Sequence, residues 1–189
     1  MELTNQQNKV FEQIKVFLNS DASVFILHGY AGTGKTTMVK VIADYIEQTR
    51  QLAMMAPTGR AARVLAMKTG HTATTIHKAI YSKAHVEPKK VKNIAESEFK
   101  FVFSINNSEN GGNIVAIVDE ASMVCSRKIE HELFMFGTDN LMEDLLTFVR
   151  PNFGGKVIFV GDPAQLPPVG ESGSNALRSE YFKEKGLTV

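Results

Sequence analysis

The fold of this chain is decided by residues 24–37, which read VFILHGYAGTGKTT. The apolar run Val24 to Leu27 predicts a buried strand, and the residues from Lys35 onward predict a helix with one apolar face. Between them, Gly29 to Thr36 match G-x-x-x-x-G-K-[ST] at every fixed position. Glycines let consecutive backbone N–H groups turn inward around an anion, and the helix N-terminus adds partial positive charge. The stretch therefore predicts a phosphate-binding loop.

This loop also predicts the ligands, ATP and Mg²⁺. The Lys35 ammonium is expected to reach the β- and γ-phosphates, and the Thr36 hydroxyl to ligate Mg²⁺. Thr37 belongs to the same candidate set, although it is interpreted first as the next residue of the helix. The predicted nucleotide contacts are Gly29, Gly32, Thr33, Gly34, Lys35, Thr36 and Thr37. Kinases, transporters, GTPases and motors share this motif, so it indicates binding more strongly than it indicates a reaction.

The remaining apolar runs predict the fold class. Leu52 to Ala56, Ile114 to Val118 and Val157 to Val160 are continuous apolar segments, and Gly59 to Met67 has a helical pattern. Strands buried on both faces that alternate with helices indicate an α/β fold with a parallel central sheet flanked by helices. Residues 126–149 are predicted to be helical, and residues 186–189 to begin a further strand.

Residues 82–113 interrupt this pattern and are predicted to form a small inserted hairpin or subdomain between residues 1–81 and 114–189. They contain a lysine cluster (Lys89, Lys90 and Lys92) that is interpreted as a solvated loop rather than a DNA contact, although it could be both. The alternating phenylalanines of 99–103 predict a half-buried strand, and the Asn- and Gly-rich residues 106–113 predict a loop.

Two carboxylates follow the strand that ends at Val118. In a parallel sheet the carboxyl ends of the strands meet at the ligand crevice, so Asp119 is expected to face the phosphates and hold Mg²⁺. Glu120 is expected to polarise the attacking water. A pair of solvated acids at a strand end is the alternative, but the carboxylates together favour nucleotide hydrolysis over storage.

Residues 160–169, which read VGDPAQLPPV, follow the next apolar run. The Gln165 amide can donate to a γ-phosphate and accept from water, so Gln165 is predicted to sense whether the γ-phosphate is present. Pro167 and Pro168 stiffen the following segment. With Lys35 and Glu120, Gln165 completes the predicted catalytic set.

The overall composition sets limits on partners and location. The chain has 189 residues, 43% hydrophobic and 22% charged, with a net charge of +1, so any nucleic-acid contact must be local. The single cysteine, Cys125, cannot form an intramolecular disulfide and is interpreted as a buried small hydrophobe. The sequence shows neither a signal pattern nor a membrane-spanning run, so we expect no membrane partner and a cytoplasmic location.

Several of these motifs together resemble those of a known family. Residues 119–122 and 161–169 resemble motifs II and III of superfamily 1 helicases. Residues 56–62 (APTGRAA) and 72–77 (TATTIH) resemble motifs Ia and Ib of the 5′-to-3′ branch, superfamily 1B, which includes RecD, Dda, PIF and TraA-type enzymes. Residues 3–7 resemble that family's adenine-reading Q motif.

The resemblance implies a RecA-like P-loop NTPase domain, the first motor domain (1A) of an ATP-dependent 5′-to-3′ DNA helicase. By the family pattern Gln7 reads adenine, with Gln6 as the alternative. The residues implied to hold the backbone of single-stranded DNA are Thr58, Arg60, Thr75 and His77. Taken singly, His77 would be interpreted as a packing histidine. Residues 82–113 would correspond to domain 1B, whose aromatics either stack on a displaced base or, the interpretation we favour, pack a small satellite core.

The resemblance also implies a second motor domain, which this sequence does not contain. Helicases of this family have a second RecA-like domain with motifs IV to VI, and nothing after Val169 matches them. We therefore expect this chain to belong to a longer protein, to unwind no DNA alone and to hydrolyse ATP slowly without the partner arginine. A monomer is expected, although the sequence does not determine the oligomeric state.

Three other functions fit parts of the pattern. A superfamily 1 RNA helicase shares motifs II and III, but the Ib form T-A-x-T-I-H favours DNA. A stand-alone NTPase of the PhoH-like kind also has a phosphate loop, D-E-A and G-D-x-x-Q, but the insertion at 82–113 argues against it. A nucleotide-regulated binding module without turnover is disfavoured by Glu120.

Overall fold

The computed structural model of the chain describes residues 3–30, 32–88, 99–106, 113–149 and 153–189. Its helices are α1 (Asn5–Leu18), α2 (Lys35–Ile46), α3 (Gly59–Thr69), α4 (Ile76–Ile80), α5 (Leu141–Val149) and α6 (Ser179–Glu184). Its strands are β1 (Val24–His28), β2 (Gln51–Ala56), β3 (Ala73–Thr75), β4 (His85–Pro88), β5 (Phe99–Phe103), β6 (Ile114–Val118), β7 (Phe134–Phe136) and β8 (Lys156–Gly161).

The main sheet has five parallel strands in the order β1-β8-β6-β2-β3. From β1 the chain crosses to β2, three positions away, and the later strands β6 and β8 fill the gap. The carboxyl ends of all five strands therefore lie on one edge, with those of β1, β8 and β6 side by side. This confirms the predicted α/β fold with a parallel central sheet, and the edge is where such sheets bind ligands.

Both faces of this sheet are buried, as the continuous apolar runs predicted. Along β6, Ile114, Ala116 and Val118 face the core formed with α4, α5 and α6, whereas Val115 and Ile117 face the core formed with α1, α2 and α3. All five side chains are at most 3% exposed. Strands of this kind need no polar face, because helices cover the sheet on each side.

A second, three-stranded sheet has the order β4-β5-β7, with β4 antiparallel and β7 parallel to β5. The predicted strand at 99–103 is confirmed, and Val102 is its buried residue. Phe103 stacks on Phe136 with ring centroids 4.5 Å apart, as the packing interpretation requires. Phe101 is 41% exposed but stacks on Phe134, with ring centroids 5.8 Å apart. The packing interpretation is wrong for Phe99, which is 54% exposed.

The expectation that residues 126–149 are helical is wrong for most of the segment. Helix α5 begins only at Leu141, and Phe134–Phe136 forms β7. Gly137 and Asp139 have φ angles of 51° and 62°, left-handed conformations that end any helix. Aromatic residues favour strands, and here β5 offers an edge with which they pair.

The expected strand at residues 186–189 is also not formed. The carbonyl of Thr188 accepts hydrogen bonds from the N–H groups of Ser23 (2.9 Å) and Val24 (3.1 Å), at the start of β1. The sheet order includes no strand from this segment, so these hydrogen bonds do not extend into a ladder with β1.

Cys125 differs from the buried hydrophobe that was expected. It is half-buried, and its Sγ donates a hydrogen bond of 3.1 Å to the carboxylate of Glu171. Burial and this carboxylate raise the pKa of the thiol. Glu171 also accepts hydrogen bonds from the N–H (2.7 Å) and the hydroxyl (2.8 Å) of Ser126, so the surroundings of Cys125 are polar.

Two predictions fall outside the described residues: the solvated lysines Lys89, Lys90 and Lys92, and most of the Asn- and Gly-rich loop, residues 107–112. Among the residues that the structure describes, no helix is long and apolar enough to cross a membrane.

Candidate functional site

The predicted phosphate loop connects β1 with α2 at the ligand edge of the main sheet. Gly32 and Gly34 have φ angles of 79° and 83°, in the left-handed region that favours glycine. A Cβ on Gly29 would lie 2.8 Å from Cγ of Lys35, so the loop can close around this side chain only when residue 29 is glycine. The loop is tied to β8 by the N–H of Gly29, which donates to the carbonyl of Gly161 at 3.0 Å.

The Lys35 ammonium lies inside this loop. It donates hydrogen bonds to the carbonyls of Gly29 and Tyr30, the latter at 3.0 Å. These two carbonyl oxygens hold the cation within the loop. Thr36 and Thr37 follow on the first turn of α2, both partly buried.

A cavity of about 580 Å³ opens beside the loop. Its wall combines Gln6 and Gln7 of α1 with Tyr30, Lys35 and Pro163. The volume is typical of a pocket for a small organic ligand, which is about 300–1,000 Å³. The phosphate loop is thus continuous with a space large enough for the rest of a nucleotide.

Gln7 joins the start of α1 to the phosphate loop. Thr4 caps α1: its Oγ1 accepts from the Gln7 N–H at 3.2 Å, and the Gln7 Oε1 accepts from the Thr4 N–H at 3.0 Å. The Gln7 Nε2 faces Gly34, where an added Cβ would lie only 2.7 Å from it. Because Gln6 lines the same cavity, the structure places both glutamine candidates at the site.

The two carboxylates follow β6, as predicted. The Asp119 N–H donates to the carbonyl of Met55 at 2.9 Å, which keeps Asp119 in line with the sheet. Burial raises the pKa of the Asp119 carboxyl, the charge of Glu120 adds to the rise, and Lys35 is near enough to oppose it. Glu120 has a φ of 53°, a left-handed conformation that is strained for a residue other than glycine and is often found at functional sites.

Gln165 lies in a tight turn after β8, and a buried residue holds that turn. Asp162, only 5% exposed, accepts from the Ala164 N–H through its carboxylate (2.9 Å) and from the Gln165 N–H through its carbonyl (3.1 Å). The Gln165 Oε1 accepts a hydrogen bond of 2.7 Å from the hydroxyl of Ser122. Ser122 and Asp162 lie within motifs that the sequence indicates, but no local pattern predicts a role for either residue.

The candidates for a nucleic-acid contact lie at the same edge, beyond β6. Thr58 and Thr75 cap α3 and α4, accepting hydrogen bonds from the N–H groups of Ala61 (3.2 Å) and Lys78 (3.1 Å). They follow neighbouring strands, because β2 and β3 pair in parallel. Arg60 is exposed on the first turn of α3. The structure therefore brings Thr58, Arg60 and Thr75 to one surface.

His77, the fourth candidate, is exposed but also contacts the smaller sheet. Its ring lies 5.6 Å from that of Tyr81 and 5.4 Å from that of Phe136, between ring centroids. Desolvation lowers the pKa of His77, and the nearby charge of Asp144 opposes the shift. His77 thus combines the packing role with a position at the candidate surface.

Three adjacent parallel strands each end in one part of this site. The first part is the glycine loop around a lysine, the second is the glutamine, and the third is the pair of carboxylates. This combination defines the domain as a P-loop nucleotide-binding domain with a RecA-like fold.

The comparison with protein families narrows this class. Residues 2–181 match the family model described as AAA domain. The chain therefore belongs to that family, and within it the chain is an N-terminal RecA-like domain of the superfamily 1B helicase type.

Two curated relatives illustrate the similarity. The ATP-dependent RecD2 DNA helicase of Deinococcus radiodurans is 33% identical over 168 residues, which are 88% of this chain and 18% of RecD2. The ATP-dependent DNA helicase Pif1 of a Psychrobacter species is 32% identical over 184 residues, which are 91% of this chain and 24% of that helicase. The chain thus spans about a fifth of the length of these relatives.

A solved structure agrees with the fold. It is a structure of Pif1 that concerns DNA unwinding at forked double-stranded DNA by two coordinating Pif1 helicases. Its TM-score with this chain is 0.54, and the sequence identity is 24%. The match covers 96% of this chain and 38% of the Pif1 chain.

Proposed function

We propose that this chain is the ATP-hydrolysing motor domain of a DNA helicase that moves 5′ to 3′ along single-stranded DNA. The observation that carries the proposal is the arrangement along one sheet edge. Lys35, Gln165 and Glu120 follow β1, β8 and β6, and the candidate DNA contacts follow β2 and β3. A motor needs a nucleotide site next to a site for single-stranded DNA, so that hydrolysis can be coupled to movement along the DNA. The polarity rests on the family resemblance.

The residues present suit a magnesium nucleotide. Mg²⁺ would be held by the Thr36 hydroxyl and the Asp119 carboxylate, hard oxygen ligands of the kind this ion prefers. It would supply neutralisation of phosphate charge. In the described part of the chain no cluster of three or more His, Cys, Asp or Glu side chains could hold a metal ion. This accords with a site in which phosphates and waters complete the coordination.

The proposed reaction is attack of water on the γ-phosphorus, with cleavage of its bond to the β–γ bridging oxygen, giving ADP and inorganic phosphate. Glu120 takes the proton of the attacking water, Lys35 neutralises charge on the β- and γ-phosphates, and Gln165 contacts the γ-phosphate. Gln7, or Gln6 beside it, contacts the adenine. These assignments are supported by the cavity that joins the glutamines to the loop.

Single-stranded DNA is proposed to cross the ends of β2 and β3, held by Thr58, Arg60, Thr75 and His77. RecD2 and Pif1 are DNA helicases by name, which supports DNA over RNA as the partner. Unwinding by the whole protein is proposed to require a second RecA-like domain that closes on this one. The present chain alone is expected to hydrolyse ATP slowly and to unwind nothing.

The test is the ATPase rate of the chain with and without a single-stranded DNA oligonucleotide, together with its affinities for both ligands. The Lys35→Ala variant, which removes the loop cation, is the control. We expect wild-type protein to bind Mg·ATP and the oligonucleotide, and the variant to lose the nucleotide. A Lys35-dependent rate, with no DNA binding and no response to DNA, would instead support a stand-alone NTPase. Equal ATP affinity in both proteins would refute the nucleotide site.

A further inference from the structure

Two of the proposed motifs are joined by one side-chain hydrogen bond, although 43 positions separate its partners in the sequence. The hydroxyl of Ser122 lies 2.7 Å from the Oε1 of Gln165. Ser122 stands on the 3₁₀ turn Ala121–Met123, directly after Glu120, and is 1% exposed. Gln165, in contrast, is exposed. A buried hydroxyl therefore anchors a side chain that otherwise faces solvent.

The turn that bears Ser122 is buried and closely packed. It packs on the end of β8 so closely that a Cβ on Gly161 would lie 3.3 Å from the Ser122 nitrogen and 2.9 Å from Leu177. On the other side, Asp162 holds the backbone of Gln165 through the hydrogen bonds described above. Main chain and side chain of Gln165 are thus held from two different strand ends.

In the structure the hydrogen bond presents the Oε1 end of the amide to Ser122. With the Ser122 hydroxyl donating to Oε1, the Nε2 group of Gln165 is left as a donor on the opposite side. A donor is what an anionic γ-phosphate attracts, whereas a reversed amide would present a carbonyl oxygen to it. Without Ser122, an exposed glutamine would have to give up rotamer freedom each time it bound a phosphate.

We infer that Ser122 is a positioning residue for Gln165 and sets how well the site distinguishes a nucleoside triphosphate from a diphosphate. This inference rests on the proposed function, because it uses Gln165 as the γ-phosphate contact. Ser122 itself touches no phosphate in this scheme and acts only through the amide. Its removal should therefore weaken triphosphate binding and leave diphosphate binding nearly unchanged.

The experiment measures the affinities of the chain for Mg·ADP and for the non-hydrolysable triphosphate AMP-PNP with Mg²⁺. The proteins are wild type, Ser122→Ala, Gln165→Ala and the double variant. We expect the triphosphate preference to fall by roughly three- to ten-fold in Ser122→Ala, the range for one neutral hydrogen bond. In Gln165→Ala the triphosphate preference should fall at least as far as in Ser122→Ala. In the double variant it should fall no further than in Gln165→Ala, because the effects of two residues that act through one contact do not add.

Two further variants separate positioning from general packing. The Ser174 hydroxyl donates to the carbonyl of Ala121 on the same turn, at 3.5 Å, rather than to the Gln165 amide, so Ser174→Ala should keep the preference of wild type. Ser122→Cys has a slightly larger side chain with a weaker donor, and its triphosphate preference should lie between those of wild type and Ser122→Ala. It also serves as the test if Ser122→Ala does not fold.

The possible outcomes distinguish the inference from the proposed function. Equal losses for both nucleotides in Ser122→Ala would mean that Ser122 only stabilises the fold. A further fall of the triphosphate preference in the double variant would mean that Ser122 does not act through Gln165. Either result would overturn the inference. It would also be wrong if Gln165→Ala kept the wild-type preference, although the nucleotide site would stand. If wild type bound neither nucleotide, or if Lys35→Ala bound both as wild type does, the proposed function itself would fail.

Discussion

The phenolic hydroxyl of Tyr81 donates a hydrogen bond of 2.6 Å to the carboxylate of Asp144, which is completely buried. This contact joins the residue that follows α4 to α5, and so links the helix of the proposed DNA surface to the body of the domain. Asp144 also accepts from the N–H (3.1 Å) and the hydroxyl (2.8 Å) of Thr138. A buried carboxylate needs all such donors, because unpaired buried charge is strongly unfavourable.

We predict that Tyr81→Phe lowers the free energy of unfolding by about 1–3 kcal/mol, since it leaves a buried acceptor short of one donor. Urea denaturation measures this directly. Tyr181→Phe is the matched control, because the Tyr181 hydroxyl lies 3.5 Å from Glu143 in a half-buried pair. That variant should change stability by less than about 0.5 kcal/mol. Equal effects of the two substitutions would show that Asp144 does not depend on Tyr81.

Three glycine-to-alanine substitutions test the shape of the phosphate loop. Gly34 has a left-handed φ and would place a Cβ 2.7 Å from the Gln7 amide, whereas Gly32 has the same φ with open space around it. Gly59, with neither feature, is the control. A left-handed alanine costs about 1–2 kcal/mol, so we expect Gly32→Ala to lose that much stability. Gly34→Ala should lose more and also bind nucleotide less well.

Thermal unfolding and nucleotide titration of the three variants are the measurements. Gly59→Ala should match wild type or be slightly more stable, because alanine favours the helix in which residue 59 lies. If Gly34→Ala behaved like Gly59→Ala in both assays, the loop would not adopt the conformation described here.

For Arg60, we predict that replacement by alanine weakens binding of single-stranded DNA and makes it less sensitive to salt. Loss of one phosphate contact should reduce the slope of log affinity against log salt by about 0.7, the value for one charge on a single strand. Binding measured from low to moderate salt gives the slope. Lys183→Ala, which removes an exposed cation from α6, is the charge control and should leave the slope unchanged. If log affinity fell with log salt concentration at the same slope in Arg60→Ala and wild type, Arg60 would be excluded from the DNA surface.

We predict that the free energy of unfolding falls in acid as the carboxylate of Glu171 is protonated. Burial alone would raise the pKa of its carboxyl, but hydrogen bonds from Cys125 and Ser126 outweigh burial and hold the pKa below the ordinary 4.5. A lowered pKa in the folded state means that the unfolded chain takes up the proton first. The contribution of Glu171 is therefore complete above pH 4.5 and is lost as the pH falls through the folded-state value.

Unfolding free energies of wild type and Glu171→Gln, measured from pH 7 down to pH 3, test this. The difference between the two proteins should be largest at neutral pH and shrink in acid. Glu132→Gln, at an exposed position, is the control and should follow wild type throughout. A constant difference between wild type and Glu171→Gln would show that the Glu171 charge is not what stabilises this corner of the fold.

Local features of the sequence account for much of the nucleotide site. The glycine-rich turn of the phosphate loop and the start of α2 at Lys35 depend on neighbouring residues, and both lie where the pattern indicated. The order of the apolar runs likewise predicted a parallel sheet buried on both faces. Where local pattern was ambiguous, as in residues 126–140, a helix was predicted and a strand formed, because the edge of β5 was available for pairing.

The sequence alone determined that a phosphate loop, a carboxylate pair and a glutamine follow three buried strands, since each motif is contiguous and its conformation is set by its own residues. Only the tertiary structure decided that these strands are neighbours, that Ser122 holds Gln165 and that Tyr81 satisfies Asp144. The partners of these two contacts are 43 and 63 positions apart. Their meeting depends on strand order and close packing, and these arise from the whole chain rather than from any local pattern.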